Sequence, residues 1–234
     1  MKYCFLFPVL LFMSVQSNAQ NADAFVQTLR RLDSIQHSNT IARHFGGLYF
    51  EFLEHIEAQL QYKDSANKQL VTRFESVFAH FYIEAANAYN KGEPLPEGVW
   101  GHYFTDTGLE LLQYKLLGAN AHLNGELWQA LTESFTAAEM TQVHAEFSIF
   151  KRTMNGMYHQ IYHDACMDNN KVLAVHVITI GASEWIGNMY LYKWINRQMK
   201  IAELYWAQSP GCEKLQERTR RRKNFVDKLV VRVL

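Results

Sequence analysis

Val172-Leu173-Ala174-Val175-His176-Val177-Ile178-Thr179-Ile180 is the stretch on which the fold class turns. Its β-branched residues suit a strand. A strand must pair its backbone N–H and C=O groups with a neighbour, and no second run of this kind stands in the chain. The segment therefore reads as a buried helix. Around it, apolar residues recur at helical spacing. Leu70, Phe74, Val77, Phe78, Phe81, Ala85 and Ala88 form one stripe, and Leu109, Leu112, Leu116, Leu123 and Leu127 a second. Met140, Val143, Phe147, Phe150, Met154, Ile161 and Ala165 form a third. No proline falls between Pro96 and Pro210, so long helices can run there unbroken. The expectation is all-α: a single-domain helical bundle of about seven helices, without repeats or an interdomain linker.

Local signals punctuate these stripes. The stretch 90–98, with two prolines, reads as a polar turn, and 167–170 and 208–212 as two more. Thr107 with Glu110 and Thr136 with Glu139 have capping-box spacing. The last helices are expected over about 182–207 and 213–231.

The chain has 234 residues, 48% of them hydrophobic and 14% aromatic, which excludes a disordered polymer. Its 23 basic and 23 acidic residues cancel, so no net field steers it toward nucleic acid or membrane. Lys2, the apolar run from Cys4 to Val15 and the small residues of Ser17-Asn18-Ala19 form the three parts of a secretory signal peptide. Residues 1–19 are thus expected to be removed, leaving 20–234 as one exported domain, periplasmic or extracellular. Cys4 leaves with that leader. Cys166 and Cys212 then either form a disulfide or remain two thiols, and spacing leaves both open.

The most distinctive stretch is Leu116-Leu117-Gly118-Ala119-Asn120-Ala121-His122-Leu123-Asn124-Gly125-Glu126-Leu127. It resembles the signature of an uncharacterised family of helical bacterial proteins, a Leu-Leu-Gly-x-Asn-Ala-His-Ile-Asn-x-Asp-Leu type segment. The stretch from Gly46 to His55, with Tyr49, looks like that family's early helix. Lys200, Ala202 and Trp206 loosely match a late Arg-x-x-x-Ala-x-x-x-Trp helix. The resemblance implies an all-helical fold and no established activity, and Glu126 stands where the family's segment has Asp.

Physically, Asn120 and Asn124 lie near the leucine stripe, where buried amides need partners, so they read as binding residues that brace the bundle. His122 and Glu126, four apart, share a helix face and can form an orienting hydrogen bond or ligate one metal. Two functions follow. The first is a binding or structural module with a polar Asn/His brace, whose partner is an unidentified small molecule or protein. The second is a metal-dependent phosphoester hydrolase with His122 and Glu126 as catalytic or metal-ligating groups and zinc as the metal. For the second, the segment Ala121–Leu127 is similar to the Ala-His-x-x-Gly-Asp-Leu of zinc-dependent phospholipases C and single-strand nucleases. His102 with Asp106, and His159 with His163, add further ligand pairs at i, i+4 spacing. No cofactor is required by the first reading.

Arg218, Arg220, Arg221, Arg222 and Lys223 precede an apolar stripe in the last helix, which reads as a solvated face, with peripheral membrane contact the alternative. Aromatics are not interleaved with these bases, and nucleic-acid binding is not expected. Trp185, Tyr190, Tyr192, Trp194, Tyr205 and Trp206 crowd one region, suited to a core or a pocket wall.

Overall fold

The computed structural model describes residues 23–96 and 99–233, and among them every regular element is helical. The leader expected at 1–19 lies outside the described residues. Helix α1 covers 23–36. It is followed by α2 (Ala42–Leu60), α3 (Ser65–Lys91), the short α4 (Gly101–Thr105) and α5 (Leu111–Ala121). A π-helical turn, His122–Glu126, joins α5 to α6 (Leu127–Ser134) without a loop. After a 3-10 turn, Ala137–Glu139, come α7 (Met140–Asp168), α8 (Asn170–Ile178), α9 (Ala182–Trp206) and α10 (Gly211–Val233).

The helices are more numerous than the seven or so expected because local breaks divide long apolar runs. Gly108 takes a left-handed φ of 73° and separates α4 from α5. The cap of α5 is therefore Glu110 with Gln113, rather than Thr107 with Glu110. The expected box of Thr136 and Glu139 does form, starting the 3-10 turn that leads into α7. Asn169 is extended and its side chain accepts from the amides of Lys171 and Val172, ending α7 and starting α8.

One apolar core runs from Phe25 to Val230. The α5–π–α6 rod sits inside it, with α5 against α2 and α10 and α6 against α3 and α9. The glycines of the rod permit this. A Cβ on Gly118 would stand 2.4 Å from Phe45 Cγ, and one on Gly125 would stand 2.6 Å from Val99 Cγ1. Neighbouring elements thus approach the rod more closely than any side chain there would allow.

Two expectations need correction. The 172–180 segment is helical, as α8 through Ile178, but it is not buried: no residue of α8 is buried, and Val177, Ile178 and Ile180 are exposed. A helix apolar on all sides signals its period, not what covers it. In the basic run, Arg218, Arg220, Arg221 and Arg222 are solvated, whereas Lys223 is buried and ion-paired with Asp227 at 2.7 Å. The apolar stripe of α10 is split, with Val230 buried but Phe225 and Leu229 exposed. Cys166 and Cys212 are separate buried thiols.

Candidate functional site

The rod changes pitch at the motif. In an α-helix the Trp128 amide would donate to the Asn124 carbonyl, but the π-turn opens this pair. Gln198, fully buried on α9, fills the gap with both ends of its amide. Its Nε2 donates to the Asn124 carbonyl at 2.6 Å, and its Oε1 accepts from the Trp128 amide at 3.0 Å. A side chain from another helix is thereby spliced into the rod's backbone ladder.

Asn120 and Asn124 lie on the side of the rod that meets α10. Asn120 Nδ2 donates to the Lys223 carbonyl at 2.9 Å and to Asp227 Oδ1 at 2.8 Å, while Asn124 Nδ2 donates to Asn120 Oδ1 at 3.1 Å. Lys223 Nζ pairs with Asp227 and also donates to the Val99 carbonyl. Both asparagines and both ions are buried, so this is a closed polar brace between the rod and α10.

On another side, His122 is enclosed by rings. It stacks on Phe78 at a centroid distance of 3.5 Å and meets Tyr49 at 4.5 Å. Its Nδ1 lies 3.3 Å from Glu126 Oε2, and Glu126 Oε1 accepts from Trp100 Nε1 at 2.6 Å. Burial holds His122 well below the ordinary imidazole pKa. Burial also pushes Glu126 well above the carboxylate range, opposed by the Trp100 N–H and the Lys223 charge. In its acid form Glu126 would donate to Nδ1 and leave the imidazole proton on Nε2; as a carboxylate it would accept from Nδ1–H instead. His122 Nε2 has no hydrogen-bond partner. Nearby, Tyr49 donates to Glu75 Oε2 at 3.4 Å, and burial raises Glu75 to about 8 against that hydrogen bond.

His122 stands in the wall of a cavity of about 360 Å³ formed by α2, α3, α5, α7, α8, α9 and the π-turn. The leucine stripe of the rod, Leu112, Leu116 and Leu123, faces this space, as do Phe150, Met154 and Ile161 of α7. These stripes line a hollow as much as they fill a core. Polar contributions besides His122 come from Lys115, Lys171, Ser183 and three tyrosines.

The other sequence candidates lie apart from His122 or on the surface. His102 Nδ1 approaches Asp106 Oδ2 at 3.0 Å on half-exposed α4. His159 pairs instead with Glu184 at 2.6 Å, and His163 is exposed beside Asp164. Among the described residues no three His, Cys, Asp or Glu side chains converge as a metal set would. Trp185, Tyr190 and Tyr205 are exposed and stand outside the lining of this cavity. Sequence reasoning missed Gln198, Glu75, Trp100 and the Lys223–Asp227 pair. Glu75 did leave a trace, as an acid set between the stripe residues Phe74 and Val77.

The fold and site define an all-helical protein with a buried polar brace beside an apolar cavity. Residues 22–233 match the model of a family of unknown function, DUF5995, and the chain belongs to that family. No curated protein and no solved structure matches it.

Proposed function

We propose that this protein is a non-catalytic binding module for an apolar small molecule that carries one hydrogen-bond acceptor. The carrying observation is the apolar cavity of about 360 Å³ lined in part by His122, whose Nε2 is buried without a hydrogen-bond partner. That volume falls within the range of about 300–1,000 Å³ usual for ligand sites. Few polar groups among many apolar ones is also the usual composition of such sites. A buried N–H without a partner costs free energy, and a ligand carbonyl or carboxyl oxygen would relieve it. In this reading Asn120, Asn124 and Gln198 hold the rod, and Glu126 holds the His122 ring in the tautomer that donates.

Dodecanoate tests this, read by its displacement of anilinonaphthalene sulfonate fluorescence. Wild type should bind it, and Ala119→Trp, which fills the cavity from the rod, should not. Equal binding by both would place the ligand elsewhere and sink the proposal. The signal-peptide pattern of 1–19 adds export to the reading. N-terminal sequencing of protein recovered from the source cell should then begin at Gln20.

A further inference from the structure

We infer that the corner between α8 and α9 is a bilayer-inserting portal, through which the cavity exchanges its ligand with a lipid surface. The inference rests on the apolar-ligand reading, because α8 is both the outer wall of the cavity and the most exposed apolar element. Val172 and Val175 line the cavity. Val177 and Ile178 of the same helix are open to solvent, and Ile180 at the apex is 94% exposed. Trp185, Ile186 and Tyr190 continue the exposed surface along α9. Between residues 170 and 192 only Lys171 and Glu184 carry formal charge, and Glu184 is engaged by His159.

Three features favour a bilayer over a second protein chain. Among the described residues no single helix is long and apolar enough to cross a membrane, but α8 and α9 together satisfy length and composition, bent by 101°. Such a bend suits entry into one leaflet rather than a crossing. Nine residues of α8 extend about 13 Å at the 1.5 Å rise, close to the roughly 15 Å of one leaflet's hydrocarbon.

The second feature is the backbone of the corner. Hydrocarbon offers no partner to a free amide, so an inserted turn must satisfy its own. The amides of six successive residues do so. Those of Thr179, Ile180 and Gly181 donate to the carbonyls of Val175, Val177 and His176, and that of Ala182 to Thr179. The Ser183 amide donates to Thr179 Oγ1, and that of Glu184 to the Gly181 carbonyl.

The third feature is Ile180 itself. It takes a φ of 53°, a conformation costly for a β-branched residue, and presents its side chain at the apex. Water gains nothing from an isoleucine there; an acyl layer does. Trp185 and Tyr190, with Lys193 set over the Tyr190 ring at 5.3 Å, supply the amphipathic groups that sit at headgroup level.

The test is flotation of the full protein with vesicles of phosphatidylcholine, and of phosphatidylcholine with phosphatidylglycerol. It compares wild type with Ile178→Asp/Ile180→Asp, whose melting curve should match because both side chains are solvated. Wild type should float with both vesicle types, and the double variant should partition on the order of tenfold less or weaker. The tryptophan emission of wild type should shift to the blue on binding, and Trp185→Phe should remove most of that shift. Absence of flotation by wild type overturns the proposal. So does equal flotation of the double variant, which would point to the arginines of α10. A concentration-dependent dimer that the double variant abolishes, without flotation, would make the corner a protein interface instead. Dodecanoate binding in vesicle-free buffer is read separately. If it persists while flotation fails, only the portal falls; if flotation holds without it, the ligand-binding reading and the portal fall while a membrane anchor remains.

Discussion

Gln198 shows at the residue scale how much one buried side chain can hold. It satisfies a carbonyl and an amide that the π-turn parts, and its own amide is satisfied in return. Gln198→Leu should leave both backbone groups unpaired at a cost of about 2–6 kcal/mol, since each buried orphan costs about 1–3. Urea unfolding checks this; a loss within about 0.5 kcal/mol, as for a neutral surface change, would mean that the π-turn closes without it. Glu75 gives a pH prediction with a definite sign. Its acid form is favoured in the folded protein, up to about pH 8, while an unfolded glutamate ionises near 4.5. The folded state therefore binds the extra proton between these values, and stability contributed by Glu75 is lost as pH rises through that window. The full effect is on the order of 5 kcal/mol. Glu126 acts in the same direction, whereas His122, held below its ordinary value, withdraws stability as pH falls below 6.5. Glu75→Gln isolates one contribution. It should match wild type near pH 4.5 and exceed it increasingly toward pH 8, and parallel curves for the two would refute the buried-acid reading.

At the element scale, the rod is joined to α10 through the Asn120 amide on a buried ion pair of α10 whose members must be kept or lost together. Lys223→Met should cost about 3–5 kcal/mol by stranding buried Asp227, and Lys223→Met/Asp227→Leu should recover much of it. Denaturant midpoints for the three proteins decide this; a double variant as unstable as the single one would show that packing, not charge, was disrupted. Gly125 offers a second pairing. Gly125→Ala should destabilise by about 1–3 kcal/mol through overpacking against Val99, and by less when Val99 is also Ala, in a double-mutant cycle. These elements also mark what a sequence can reveal. The ends of α9 and α10 were legible within two residues because Pro210 and flanking polar residues interrupt the apolar period. The helicity of α8 was legible too, from the lack of any strand to pair with it. Its exposure was not, because burial depends on what packs opposite. The π-turn was likewise hidden: one added residue per turn scarcely alters the spacing of leucines. Gln198 gave no sign at all, since its partners lie about 70 positions earlier in the chain.

For the molecule as a whole, the same stripes that announced a bundle turned out to surround a hollow. Asn120 with Asn124, and His122 with Glu126, do pair at i, i+4 spacing as their positions in the chain suggest, yet the surroundings of both pairs come from helices separated by long stretches of chain. The cavity could not be read because each of its walls resembles ordinary core. Its occupancy should be visible in global stability. A ligand that binds only the folded state stabilises it by about 2.7 kcal/mol at a hundred times its Kd. For a chain of this size each kcal/mol moves Tm by about 2–4 °C, so saturating dodecanoate should raise wild-type Tm by roughly 5–11 °C. Ala119→Trp should melt without that rise, because its indole occupies the space beside Leu116 and Leu123. The exposed α8–α9 surface provides the control. If Ala119→Trp still gains the full rise while Ile178→Asp/Ile180→Asp loses it, dodecanoate is coating the corner and the cavity is not its site. If the reverse holds, the ligand lies inside, against His122.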